Sequence, residues 1–355
     1  DDNPQVNVLL VGHYHMSLGE KQGDTLIAGV RNAGREIARI DVTFDKDKKL
    51  IDGKVEIVDM AEVEPSQEIR DIPLVKEAHE KTINFIQGGG SGEDGEGGTP
   101  LGSTTARFQP ENEIRGLPQG KLQDTAVMDL INMIQLQNSG ADVSAAALFK
   151  DTSDLPEGNI NYGNVFDIYK FDNTLYRVPV TGKELLAYME WSAECYNQWQ
   201  EGDINISFDP EYPGYLYDMF AGVDYEIDLS QPKGQRIKNV MFRGEPLKEG
   251  EQLTLAVNNY RYSSALKGKN LIEGKKEWES SNSIRDMIVA YLAERSPISP
   301  QVDNNWSIVG VDLNLDDPRR DEIITLINEG VLETPYDESY NLNDYEELVA
   351  AKPAA

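Results

Sequence analysis

An α+β fold in more than one domain is what this sequence predicts, and three observations predict it. Short apolar runs of strand length recur along most of the chain. Five segments carry a helical period instead, scattered between those runs rather than alternating strictly with them. A stretch of Gly, Ser, Glu and Asp at 88–98 then divides the chain as a flexible tether would. At 355 residues there is enough chain for two or three domains with sizeable cores.

In order, residues 6–11 read as a buried strand with no evident neighbour before it, which suggests that the chain opens inside a larger gene product. The run ends at Gly12-His13-Tyr14-His15, where two histidines one residue apart can face the same way in an extended loop and share a metal. A lone pair of this kind is as readily incidental, since a metal site also needs carboxylates or further histidines from other segments. Strands are expected at 25–30, 36–44 and 55–58, and a helix at 75–86. The glycine-rich stretch lacks the Lys-Ser/Thr of a phosphate loop, so it reads as a tether, natural or introduced.

Beyond the tether, Ala126, Val127, Leu130, Ile131, Ile134 and Leu136 give a helix over 123–137 its apolar stripe. The small residues of Val143-Ser144-Ala145-Ala146-Ala147-Leu148-Phe149-Lys150 predict a strand that something approaches closely. That something is either a packed helix or a ligand to which Lys150 offers its charge. A helix over 181–198 opens on Thr181 with Glu184 three residues on, a capping box. Residues 203–220 read as loop; 223–228, 236–242 and 252–257 as strands; 283–294 and 320–329 as helices. The acidic residues of 312–355 show no calcium-loop spacing and read as a solvated surface.

Acidic residues outnumber basic ones 62 to 33, a formal charge of −29, which argues against wrapping duplex nucleic acid. It leaves room for a local basic pocket that takes one small anion. Cys195 stands alone, so no internal disulfide and no cysteine-based zinc site can form. No apolar run approaches the length of a membrane span.

The central stretch is 160–176, dense in Ile, Val, Phe and Tyr, which reads as a strand interrupted at Lys170-Phe171-Asp172-Asn173 and then resumed. An aromatic in a polar interruption either fills core or presents a flat face, and flat faces stack on nucleobases of any sequence. Asn258-Asn259-Tyr260-Arg261 is a second polar interruption carrying an aromatic.

Taken in sequence, several of these segments resemble the two-domain metallophosphoesterases that comprise the 5′-nucleotidases and the 2′,3′-cyclic-nucleotide 2′-phosphodiesterase/3′-nucleotidases. The resemblance runs from about residue 122 to about 309. It is carried by Leu122-Gln123-Asp124-Thr125, Ser144 to Lys150, Tyr169 to Leu175, Val180 to Glu184, Gly222 to Asp228, Ala256 to Arg261 and Asp303-Asn304-Asn305-Trp306. Ser-Ala-Ala-Ala-x-Phe-Lys and Asn-Asn-Tyr-Arg look more like the cyclic-phosphodiesterase branch. Gly12-His13-Tyr14-His15 looks like the family's last metal motif, whose histidines bind the two metals of a dinuclear centre.

The resemblance implies the closing portion of an α/β metallophosphoesterase sandwich over 1–86, a linker over 87–102, a mixed α+β nucleotidase C-terminal domain over 103–311 and an acidic extension over 312–355. It implies that Phe171 and Tyr260 clamp a base, that Asn173 bonds the base edge, and that Lys150 lies near the sugar or phosphate. It implies two divalent metals such as manganese or zinc, a complementary N-terminal catalytic chain, and a secreted, periplasmic or cell-surface location. The family's earlier metal motifs do not occur here, so His13 and His15 form an incomplete site and the chain alone is not expected to hydrolyse phosphoesters. Base binding without chemistry is then the alternative expectation. Ser263-Ser264 replace the Gly-Gly common after the second aromatic, which implies a different backbone there.

Overall fold

A computed structural model describes residues 6–12, 15–88, 100–213 and 215–350. The chain divides into two compact units, residues 1–80 and 81–355. In the first unit, β1 (Val8–Val11), β2 (Leu18–Gln22) and β3 (Thr25–Gly29) form a sheet in the order β1-β3-β2. β4 (Glu36–Phe44) and β5 (Leu50–Asp59) form an antiparallel ribbon, followed by α1 (Gln67–Arg70) and the start of α2 (Pro73–Gly88).

Strand β1 corrects one expectation. It has a neighbour within the chain: Val8 to Val11 pair in parallel with Leu26 to Gly29 of β3. Nor is it buried, since all four of its residues are exposed. The reason is packing: the ribbon lies on β2 and β3, with Gly53 tight against Leu26 and Gly19 against Ile57, and leaves the apolar edge strand uncovered within its unit.

The second unit holds the main core, a mixed α and β arrangement of several small sheets. Its elements are β6 (Gly102–Thr104), α3 (Ala126–Ser139), β7 (Val143–Ala146), β8 (Gly158–Ile160), α4 (Tyr162–Ile168), β9 (Thr174–Thr181) and α5 (Gly182–Ser192). There follow β10 (Met219–Ala221), β11 (Val223–Asp228), β12 (Ile237–Phe242), β13 (Glu245–Pro246), β14 (Gln252–Asn258) and α6 (Asn259–Arg261). Last come β15 (Trp278–Ser283), α7 (Ile284–Arg295), β16 (Trp306–Val309), α8 (Pro318–Asn328) and α9 (Tyr345–Ala350). The five-stranded sheet runs β10-β7-β14-β9-β15, a four-stranded sheet runs β13-β12-β11-β16, and β6 pairs with β8.

Helix α3 packs over the five-stranded sheet because Ser144, Ala145, Ala146 and Ala147 are small enough to admit it. Buried amides of the helix bond there: Gln135 donates to Ser144 Oγ at 2.8 Å, and that hydroxyl donates to Asn132 Oδ1 at 2.8 Å. The small-residue run thus serves close helix–strand packing. The acidic C-terminal stretch contributes Ile323, Leu326 and Ile327 of α8 to the same core, and buried Arg320 of that helix pairs with Glu113 at 2.7 Å.

The reading of 161–168 as strand is overturned, while Ile160 ends strand β8. Asn161 and Asn164 bond each other's backbone N–H groups at 2.9 and 3.0 Å, a capping box that starts α4, and Val165 and Ile168 bury one helical face. Local capping and i, i+3 burial outweigh the strand preference of the Ile, Val, Phe and Tyr content. Helix α5 ends at Ser192, short of its expected reach, where the chain tightens into a 3₁₀ turn over Ala193–Cys195.

The Thr181 box forms as its spacing predicts. Glu184 accepts from Thr181 N at 2.7 Å and from Glu273 N at 2.6 Å, and donates its own N–H to Thr181 Oγ1 at 3.2 Å. Burial acts to raise the Glu184 carboxyl, but those backbone donors outweigh it and hold it below the ordinary glutamate range. A depressed carboxyl stabilises the fold fully above its unfolded value and loses that contribution as pH falls through the folded one. Comparing urea unfolding of wild type and Glu184→Gln across pH 3–7 (roughly this range), the deficit of the variant should be constant near neutrality and shrink toward the acid end. A deficit independent of pH would refute the assignment.

Candidate functional site

Seven consecutive pairs, Gln252 opposite Thr181 through Asn258 opposite Leu175, lock β14 antiparallel to β9. The end of β14 therefore lies beside the start of β9. β7 is parallel to β14, with Ala256 opposite Ser144, and Ser283 at the end of β15 is opposite Thr174. Four chain segments consequently leave the sheet at one end: the loop after β7 with Lys150, the loop before β9 with Phe171 and Asn173, the turn after β14 with Tyr260, and the start of α7.

Both aromatic rings face solvent at that end, Phe171 at 43% and Tyr260 at 50% exposure. Neither is core. Phe171 is propped from beneath by Phe149, edge to face with centroids 4.9 Å apart, and Phe149 stands in turn edge to face on buried Tyr169 at 5.2 Å. The Lys170 ammonium sits 4.9 Å from the Phe171 centroid.

Arg285, on the first turn of α7, holds the same loop: it donates to Lys170 O at 2.9 Å and to the Asp172 carboxylate. Ile284 N donates to Asn173 O at 2.9 Å. The Asn173 and Asn258 side chains flank the buried Tyr169 hydroxyl, which burial pushes above its ordinary range.

Tyr260 is held from the other side. Asn258 caps the turn by accepting from Arg261 N at 2.7 Å. Arg261 points inward, its Nε 2.6 Å from the Asp218 carboxylate, and that carboxylate also accepts from Tyr188 OH at 2.7 Å. Trp191 lies under the guanidinium at 5.4 Å. Beyond Arg261 the chain continues as a π-helix over Tyr262–Lys267, so this interruption is helical. Ser263 and Ser264 donate their hydroxyls to the carbonyls of Asn259 and Tyr260 at 2.6 and 2.7 Å, bonds that Gly-Gly could not make.

Of the residues singled out from sequence, Phe171, Tyr260, Asn173 and Lys150 thus belong to segments meeting at one sheet end. Lys150 pairs there with Asp167 of α4. His13 lies outside the described residues, and His15 is exposed in the first unit with a left-handed φ of 53°. Phe149, Arg261 and Arg285 were not singled out. Arg261 sits inside a quoted motif, but nothing in the sequence says that it points inward.

Among the described residues, one group of three or more potential ligands lies close enough to share an ion: Asp124, Asp129 and Asp303, with an oxygen of each within 4.8 Å of the others. Burial and the charge of Asp303 push Asp124 up to about 6, and burial with the charges of Asp124 and Asp303 pushes Asp129 up to about 7. His15 joins no such group, so the described residues do not by themselves fit a two-metal centre.

Residues 101–269 match the 5′-nucleotidase C-terminal domain family. This part of the chain therefore carries a 5′-nucleotidase C-terminal domain, and its relatives are nucleotide phosphoesterases. A trifunctional nucleotide phosphoesterase of Bacillus subtilis is 24% identical over 311 residues, covering 78% of this chain and 20% of that protein. A 2′,3′-cyclic-nucleotide 2′-phosphodiesterase/3′-nucleotidase of Yersinia enterocolitica is 30% identical over 199 residues, covering 47% of this chain and 30% of that one. A Staphylococcus aureus structure assigned as a 5′-nucleotidase, solved with alpha-ketoglutarate, shares the fold at a TM-score of 0.65 and 18% identity over 85% of this chain and 56% of that one. The chain spans between 20% and 39% of the length of the curated relatives it matches. No described helix is long and apolar enough to cross a membrane.

The Arg261–Asp218 pair is buried on both sides, so removing one partner strands a charge. Arg261→Met should cost about 3–5 kcal/mol in urea unfolding, and adding Asp218→Asn should recover a large part of it. A single-variant cost below about 1 kcal/mol would show that the pair does not hold the turn.

Proposed function

We propose that residues 103–311 are the base-binding domain of a dinuclear-metal phosphoesterase acting on 2′,3′-cyclic nucleotides and 3′-nucleotides, with Phe171 and Tyr260 stacking on the two faces of the base. One observation carries this reading: two exposed aromatic rings stand at the same end of paired strands, each anchored by a buried arginine. Large exposed rings fixed so firmly suit a planar ligand, which needs faces already in place. In this reading Asn173 bonds the base edge and Lys150, released from Asp167, approaches the sugar or phosphate. The cyclic-nucleotide branch is favoured by the Yersinia relative, and 5′-nucleotides are the alternative substrate class.

The first unit belongs in the same proposal as the closing part of a metallophosphoesterase domain. Its apolar, uncovered β1 supports this, because such a strand wants a further layer. His13 and His15 would there contribute to the two metals, with the remaining ligands supplied by a complementary catalytic chain. An extracytoplasmic setting goes with this reading. Base binding without chemistry is the second reading, favoured because His15 belongs to no described cluster of three or more potential ligands.

Calorimetric titration with adenosine, 3′-AMP and 5′-AMP tests the pocket. Phe171→Ala and Tyr260→Ala should each weaken binding by about 1–3 kcal/mol. Unchanged affinity in both variants would remove the clamp, and turnover of 2′,3′-cyclic AMP by this chain with manganese would remove the second reading.

A further inference from the structure

Asp124 and Asp129 flank the start of one helix, and Asp303 reaches them from far along the chain. Asp124 immediately precedes the N-cap of α3, Asp129 lies on that helix's first turns, and Asp303 belongs to the loop entering β16. Hydrogen bonds fix one oxygen of each. Asp124 Oδ1 accepts from Thr125 N at 2.9 Å and from Trp306 Nε1 at 3.1 Å. Asp129 Oδ2 accepts from Asp303 N at 2.9 Å, and Asp303 Oδ1 accepts from Asn305 N at 3.0 Å.

What remains is the informative part. Asp124 is only 7% exposed, yet its Oδ2 is buried without any hydrogen-bond partner, beside the other two carboxylates. A carboxylate oxygen taken out of water is ordinarily paired, and none of the groups acting most strongly on Asp124 or Asp129 is a cation. Three acidic groups whose oxygens fall within 4.8 Å of one another fit around a single ion, since two ligands of one calcium at about 2.4 Å can be up to about 4.8 Å apart. A cavity of 620 Å³ lined by Asp129 and Asp303, with Tyr291 and Arg295 further round its wall, leaves room for water on the open side.

We propose that Asp124, Asp129 and Asp303 form a binding site for one hard divalent cation, calcium by its all-oxygen ligand set, which fastens the β16 entry loop to the start of α3. It shares no residue with the base pocket or with the His13 and His15 pair, so it stands or falls independently of the functional reading above. Its role is to hold the domain together rather than to act on substrate.

Trp306 supplies the readout, because its indole already touches Asp124. Terbium added to the metal-free chain and excited through tryptophan should give sensitised emission that saturates at about one ion per chain and is displaced by calcium. Asp129→Asn and Asp303→Asn should each weaken calcium competition at least by the roughly 10–100-fold that loss of even an outer-shell partner costs. Exposed Asp224→Asn should leave it unchanged. Calcium should also raise the melting temperature of wild type and not that of Asp303→Asn, which keeps the test informative if one variant folds poorly. Emission that never saturates, that calcium fails to displace, or that survives both substitutions would overturn the proposal.

Discussion

The register between β9 and β14 is the constraint on which the rest depends. Two strands paired over seven residues leave almost no freedom in where their ends lie. A slip of one residue would turn Val178 and Val180 to the opposite face of the sheet and swing both aromatic segments with them. Because β7 runs parallel to β14, the same register also decides where the Lys150 loop emerges. The site is thus a property of the sheet before it is a property of any loop.

Loops alone would leave Phe171 and Tyr260 free to collapse onto apolar surface. Two buried arginines prevent that in different ways. Arg285 ties down carbonyl and carboxylate groups around Phe171, while Arg261 turns its charge into the core and so obliges the preceding tyrosine to face out. A buried ion pair is a poor source of stability, but its geometry is demanding, and that suits a position where shape matters more than energy. The edge-on stack of Phe149 beneath Phe171 adds a rigid support without covering the ring's solvent side.

How far the sequence could be read follows from the range of the interactions. The Thr181–Glu184 capping box was legible because both partners lie within one helical turn. The strands at 36–44, 223–228 and 252–257 were legible from their composition, and the order of short motifs was enough to suggest the family. Helix α4 was misread because its aromatic and β-branched residues resemble a strand until Asn161 and Asn164 are recognised as a cap. The partner of β1 was missed because parallel pairing across a hairpin leaves no local signal. Arg261 and Arg285 are exposed-type residues that only a finished fold places indoors. Asp124 and Asp129 are near neighbours, but Asp303 joins them from a remote loop, so no local spacing rule could have found the three together.

The account's central claim is that a planar base sits between the Phe171 and Tyr260 rings. The most direct measurement is nuclear Overhauser contact between the base protons of bound adenosine and ring protons of the protein labelled at phenylalanine and tyrosine. The account predicts contacts to both rings, each vanishing in the corresponding alanine variant while the other persists. Contacts to neither ring, or contacts undiminished when both are replaced, would contradict it.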